Sequence, residues 1–135
     1  MFKACVVVPV YNHEGAIGAI VQGVLAHQLH CILVDDGSER DCAGVIDALV
    51  AGKRKQVTLL RHPINRGKGS AVLTGVRHAA QIGYTHALQI DADGQHRVAD
   101  IPRFLELAAA HPQALILGCP NTIRAPQRCD GGPVI

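Results

Sequence analysis

The sequence contains no tryptophan and four aromatic residues in all, Phe2, Tyr11, Tyr84 and Phe104. It therefore lacks the stacking platforms on which proteins hold single-stranded nucleic acid. It also lacks a surplus of one charge: 13 basic and 11 acidic residues leave a net charge of +2. A dedicated nucleic-acid binder carries a basic excess on one face, so no nucleic-acid partner is expected. No apolar stretch approaches the ~20 residues needed to span a bilayer. The short apolar run from Met1-Phe2-Lys3 to Pro9 is too brief for a secretory signal with its cleavage site. Five cysteines are present, an odd number, and no two are spaced C-x-x-C. Neither a zinc site nor a disulfide framework is signalled, and reduced thiols in a cytoplasmic protein are expected.

What is present suits a globular core. The chain has 135 residues, 48% hydrophobic and 18% charged, enough for one domain that buries a core without staples. Apolar segments alternate between two periods. Residues 4–10, 31–34, 57–60, 87–90 and 114–117 are short continuous runs that predict strands. Between them, Ile17/Ile20/Val21/Val24/Leu25, Cys42/Val45/Ile46/Leu49/Val50, Val72/Val76/Ala79/Ala80 and Ile101/Phe104/Leu105/Ala108 recur at helical spacing. Strands that are apolar throughout are buried on both faces. The pattern therefore predicts an α/β domain, a mostly parallel, Rossmann-like sheet flanked by helices. Ser38 with Asp41 has the spacing of a capping box, Asp100 with Pro102 marks a helix start, and Gly83 marks a helix end. The domain is expected over residues 1–119. Residues 120–135, with three prolines and two glycines and no periodicity, are expected to be an irregular tail.

In an open parallel sheet, ligands bind at the carboxyl ends of the strands, so the residues just past each run carry the information. Asp91-Ala92-Asp93 places two carboxylates where regular structure stops, and a hard divalent cation would relieve their repulsion. Gln95 offers a neutral oxygen and His96 a further ligand or hydrogen bond. A turn or a helix cap is the plainer alternative. Asp35-Asp36-Gly37-Ser38 makes a capped turn that explains Gly37 and Ser38 without requiring two aspartates. Asp36 in particular is free to contact a base or ribose. Asn65-Arg66-Gly67-Lys68-Gly69-Ser70 has neither P-loop nor dinucleotide-fingerprint spacing. Its glycine-rich helix start still suits an anion, and basic residues there oppose the helix dipole, so they need another partner. His27, His30, His62, His78, His86 and His111 are scattered and are expected to be surface or packing residues. No nucleophile elbow is present.

These motifs, in order and at suitable intervals, carry a resemblance. Val6-Val7-Val8-Pro9-Val10-Tyr11-Asn12, Val34-Asp35-Asp36-Gly37-Ser38, Asn65-Arg66-Gly67-Lys68-Gly69 and Asp91-Ala92-Asp93-Gly94-Gln95-His96 together resemble the nucleotide-binding half of a family 2 glycosyltransferase of GT-A fold. The last motif resembles the branch of dolichol-phosphate mannosyltransferases and bacterial polyprenyl-phosphate glycosyltransferases.

The resemblance implies that Tyr11, Glu14 and Asp36 line a nucleobase and ribose pocket, with Pro9 shaping its floor. Arg66 and Lys68 would lie near the nucleotide. Asp91, Asp93 and Gln95 would hold Mg²⁺ or Mn²⁺ on the diphosphate of a UDP- or GDP-sugar, and Asp91 would also contact the nucleotide. The sugar would pass with inversion to a polyprenyl phosphate, a saccharide or another acceptor, at a cytoplasmic location that includes the inner face of the membrane. The resemblance runs from Lys3 to about Gly118, and the acceptor half and its general base do not follow. A truncated or frameshifted end is therefore expected. An exposed sheet edge would favour homo-oligomers. A non-catalytic nucleotide-sugar-binding module is the alternative reading. A nucleotidyltransferase ranks lower, because Pro9-Val10-Tyr11-Asn12 stands where those enzymes carry a glycine-rich basic signature.

Overall fold

The computed structural model describes residues 2–92 and 98–112, and the backbone of 114–115, 118–119, 122–123 and 127–128. Four strands lie side by side: β1 (Ala4–Val10), β2 (Cys31–Asp36), β3 (Val57–His62) and β4 (His86–Gln89). Their spatial order is β3-β2-β1-β4, and all three pairings are parallel. The continuous apolar runs are explained by burial on both sides. β2 is buried along its whole length, and β1 from Cys5 to Val10.

The connections are α1 (Glu14–Ala26), α2 (Arg40–Val50) and α3 (Lys68–Gln81); α4 (Ile101–Ala110) follows a 3₁₀ turn at Val98–Asp100. From β1 to β2 to β3 the chain steps outward in one direction. Two right-handed crossovers then place α1 and α2 on the same face. From β3 it jumps back over the sheet to β4, so the direction reverses and α3 lands on the opposite face. The packing agrees. Val6, Val8, Val10 and Leu33 meet Ile17, Val21, Ile46 and Ile101 on one side. Val7, Ile32 and Val34 meet Ala71 and Ala79 of α3 on the other.

Several local expectations are corrected. The buried stripe of α3 is Ala71, Gly75 and Ala79, whereas Val72 and Val76 flank it and Ala80 is exposed. The reason is proximity. A Cβ on Gly75 would lie 2.4 Å from Val7 Cγ1 and 3.1 Å from Val34 Cγ2, so the smallest residues face the sheet. The capping box at Ser38 does not form. α2 starts at Arg40 with Glu39 at its cap, and the Ser38 hydroxyl instead accepts the Asn12 N–H at 3.1 Å. Asp100 does stand at the cap of α4 with proline in the first turn, but its side chain makes no capping bond. Gly83 ends α3 as expected. At φ +99° it turns the chain so that its N–H reaches Ala80 O at 3.2 Å and the Tyr84 N–H reaches Ala79 O at 3.0 Å, a Schellman motif. The fifth apolar run does not extend the parallel sheet: Ala114–Leu115 pairs antiparallel with Gln127–Arg128. Within the same region Gly118–Cys119 pairs antiparallel with Thr122–Ile123, so the tail takes part in short ladders.

Candidate functional site

The reversal between β1 and β4 opens a crevice at the carboxyl ends of the strands, where an open α/β sheet binds its ligands. A cleft of about 350 Å³ sits there. Of the residues read from the sequence, Pro9, Tyr11, Asp36, Lys68 and Asp91 line it. Glu14 is the exposed first residue of α1 and Arg66 is exposed beside the cleft, and neither is on its wall. Asp93, Gln95 and His96 lie outside the described residues. The wall also takes in His13, Asn65, Gly67, Ala71 and Ala92. His13 and Asn65 belong to the same strand-end segments as the motif residues, and that placement was the available signal for them.

The loop after β3 is held by a carboxylate from the neighbouring strand. Asp36, the last residue of β2, is 2% exposed. Its Oδ1 accepts from the Arg66 N–H at 2.9 Å and pairs with His62 Nδ1 at 2.7 Å. Its Oδ2 accepts from the Gly67 N–H at 2.8 Å and from Asn65 Nδ2 at 3.1 Å. An ionised carboxylate has about four acceptor sites, and all are filled. Burial pushes the Asp36 carboxyl up, but the bonds from His62, Arg66 and Gly67 outweigh it and hold the group below its ordinary value. The sequence suggested an anion site at this glycine-rich helix start. The structure fills the paired N–H groups with the protein's own anion, so that site is occupied from within. Gly37 allows the approach: at φ +74° it sits where a Cβ would lie 2.4 Å from Asn65 N.

Asp35 is likewise engaged, accepting from the Ser38 N–H at 3.0 Å and from Arg61 Nε at 2.9 Å. Arg61 spans onward to Asp47 at 2.7 Å and to the Ala43 carbonyl, tying β2 and β3 to α2. Its hydrogen bonds with Asp47 and Asp35 push the guanidinium further up.

Lys68, at the first position of α3, supplies the partner that its unfavourable place on the helix dipole requires. Its Nζ lies 2.6 Å from Asp91 Oδ2 across the cleft. Gln89 Nε2 donates to the other Asp91 oxygen at 3.0 Å. Among the described residues no group of three or more histidine, cysteine or acidic side chains is placed to hold a metal. Asp91 is the described member of the expected ligand set, and its carboxylate already faces a cation.

His62 takes the packing side of the expectation for the histidines: it is 7% exposed and paired with Asp36. Its position as the last residue of β3, in register with Asp36, was the signal. The cysteines behave as expected where they are described. Cys5, Cys31 and Cys42 are free and buried. Burial pushes the Cys5 thiol up to about 11; burial, with Cys5 nearby, pushes Cys31 up to about 12.

Together the reversed strand order and the polar cleft at the reversal define a doubly wound α/β domain with an open cleft at the switch point. The model of the family "Glycosyl transferase family 2" matches residues 5–128, which includes residues 120–128 of the tail. The chain belongs to that family. It is 26% identical over 140 residues to the UDP-N-acetylglucosamine–dolichyl-phosphate N-acetylglucosaminyltransferase of Methanococcus voltae, covering 95% of this chain and 55% of that protein. It is 30% identical over 111 residues to the polyprenol monophosphomannose synthase of Mycolicibacterium smegmatis, covering 80% of this chain and 42% of that protein. Among solved structures it is similar to a mannosyltransferase from Pyrobaculum calidifontis in complex with GDP-Man and Mn²⁺. The TM-score is 0.68 and the identity 22%, over 87% of this chain and 35% of that one. That likeness establishes the GT-A fold of this chain. The chain spans about half the length of the curated relatives it matches, with shares of 44%, 55% and 42%.

Proposed function

We propose that the cleft binds a nucleotide-diphospho-sugar and that the chain is the donor-binding domain, over residues 1–119, of an inverting glycosyltransferase. The observation that carries this reading is the Lys68–Asp91 pair set across a cleft at the switch point. It offers a cation for phosphate oxygens and a carboxylate for a metal in one place. Pro9, Tyr11 and Glu14 take the base and ribose end, and Arg66 and Lys68 the phosphates. Asp36, with its acceptor sites filled, contributes by shaping the wall.

Asp91 fits a hard divalent cation by its oxygen chemistry. With Asp93 and Gln95 it would hold Mg²⁺ or Mn²⁺, which when bound stabilises charge growing on the departing nucleoside diphosphate. The names of the relatives favour a polyprenyl phosphate as acceptor. Such a phosphate is already ionised and needs no general base. No helix among the described residues is long and apolar enough to cross a membrane. A lipid acceptor would be met from the cytoplasm at the membrane's inner face.

Calorimetric titration with UDP and with GDP, each with Mn²⁺, tests the reading and decides the base. Metal-dependent binding of one of them is expected. Unchanged metal dependence in Asp91→Asn/Asp93→Asn would remove the metal assignment. Sugar transfer to a polyprenyl phosphate by this chain would exclude the non-catalytic binding module.

A further inference from the structure

The wall of the cleft is fastened by a chain of hydrogen bonds that runs behind it. Asp36 Oδ1 pairs with His62 Nδ1 at 2.7 Å, and His62 Nε2 pairs with Thr74 Oγ1 at 2.8 Å. Thr74 Oγ1 in turn donates to the Ser70 carbonyl at 3.0 Å. Asp36 accepts from two backbone N–H groups and an amide and is held in its ionised form, so it can only accept, and Nδ1 of the His62 ring donates to it. Asp36 faces the ring from β2 and Thr74 from α3, and His62 is almost closed to water at 7% exposure.

We propose that His62, which does not line the cleft, is a positioning residue of the donor site. Its buried ring fixes the rotation of the Asp36 carboxylate. That carboxylate then fastens the Arg66 and Gly67 N–H groups and sets the entry of α3 that carries Lys68. This rests on the reading of the cleft as a donor site. The ring, on the last residue of β3, also ties both ends of the loop, because Thr74 lies in α3. Without the ring, Asp36 Oδ1 loses a partner and the carboxylate is free to turn away from one of the two N–H groups.

The test uses the full chain and begins without nucleotide. Nitrogen NMR of the His62 ring is expected to show Nδ1 protonated. An unprotonated Nδ1 would overturn the proposal. In His62→Phe, the Arg66 and Gly67 amides are expected to exchange at least about tenfold faster, the loss of a hydrogen bond to a charged group. Amides of β1 are expected to be unchanged. His62→Gln keeps a donor toward Asp36 without the rigid ring and is expected to lie between. Unchanged exchange at Arg66 and Gly67 would overturn the proposal. If His62→Phe does not fold, Thr74→Val and His62→Gln are judged by the same two amides. UDP or GDP with Mn²⁺ is expected to bind about tenfold more weakly to His62→Phe. If neither nucleotide binds the unsubstituted chain, the donor-site reading fails, while the ring and amide measurements still decide the role of His62 in the loop.

Discussion

Lys68 Nζ stands 2.6 Å from Asp91 Oδ2, joining the first residue of α3 to the segment just past β4. The lysine is well exposed, with 59% of its side chain accessible, so the pair adds little to stability. Its consequence is competition, because the ammonium occupies an oxygen that a metal would use. Lys68→Ala is therefore expected to leave the melting temperature unchanged. It should tighten Mn²⁺ binding in the absence of nucleotide severalfold and weaken binding of the nucleoside diphosphate about tenfold. Paramagnetic resonance titration of Mn²⁺, with and without nucleotide, separates the two effects. Equal changes of the same sign would show that Lys68 does not compete.

Asp36 sets an acid limit on stability. Its carboxyl is held below the ordinary value, so the folded state binds its proton less readily than the unfolded chain. The contribution is complete above the unfolded value of about 3.9 and is lost as pH falls through the lower folded value. Urea midpoints between about pH 5 and 2 should show this slope, and Asp36→Asn should flatten it. That substitution keeps the shape but turns an amide NH2 donor toward N–H donors, and it should cost about 2–4 kcal/mol at neutral pH.

Two glycines in helices should respond with opposite sign to alanine. At Gly75 the new methyl would meet Val7 Cγ1 at 2.4 Å, and overpacking of about 1–3 kcal/mol outweighs the gain in helix propensity. At Gly44 in α2 nothing lies within 4 Å of the new Cβ, so about 0.5–1 kcal/mol of stabilisation is expected. Denaturant unfolding of Gly75→Ala and Gly44→Ala, measured side by side, checks both.

The thiols of Cys5 and Cys31 should resist alkylation in the native protein. Both are fully buried, with the thiol of Cys5 pushed up to about 11 and that of Cys31 to about 12, so almost no thiolate exists near neutral pH. Mass spectrometry after iodoacetamide treatment is expected to find these two modified only on the timescale of unfolding. Rapid labelling of either in folded protein would contradict their placement.

The strands and strand-end motifs were legible because burial on both faces writes itself as unbroken apolar runs such as Cys5–Val8. The direction of the crossovers follows from chirality once the strand order is known. The phase of α3 was not legible, since periodicity weights large side chains and this interface is set by the smallest, Ala71, Gly75 and Ala79. The role of Ser38 was misjudged for a related reason. Its hydroxyl serves Asn12, a residue 26 positions away, rather than its own helix. The Asp36 clamp lay hidden in the same way. A nest at residues 66–67 reads as an empty anion site until a carboxylate from another strand is brought to it. His62 could be reached only by pairing the last residues of β2 and β3.

Among the described helices α3 alone covers the far face of the sheet, and it carries two duties at once. α3 begins at the cleft with Gly67 and Lys68 and shields Val7, Ile32 and Val34 along its length. Gripping its first turn is therefore thermodynamically linked to closing that half of the core, because a ligand that binds the folded state alone draws the equilibrium toward it. Occupancy of the cleft should be felt at the far end of the helix, as slower opening of the Schellman turn at Gly83 and Tyr84. This domain would then report a bound donor through its own melting.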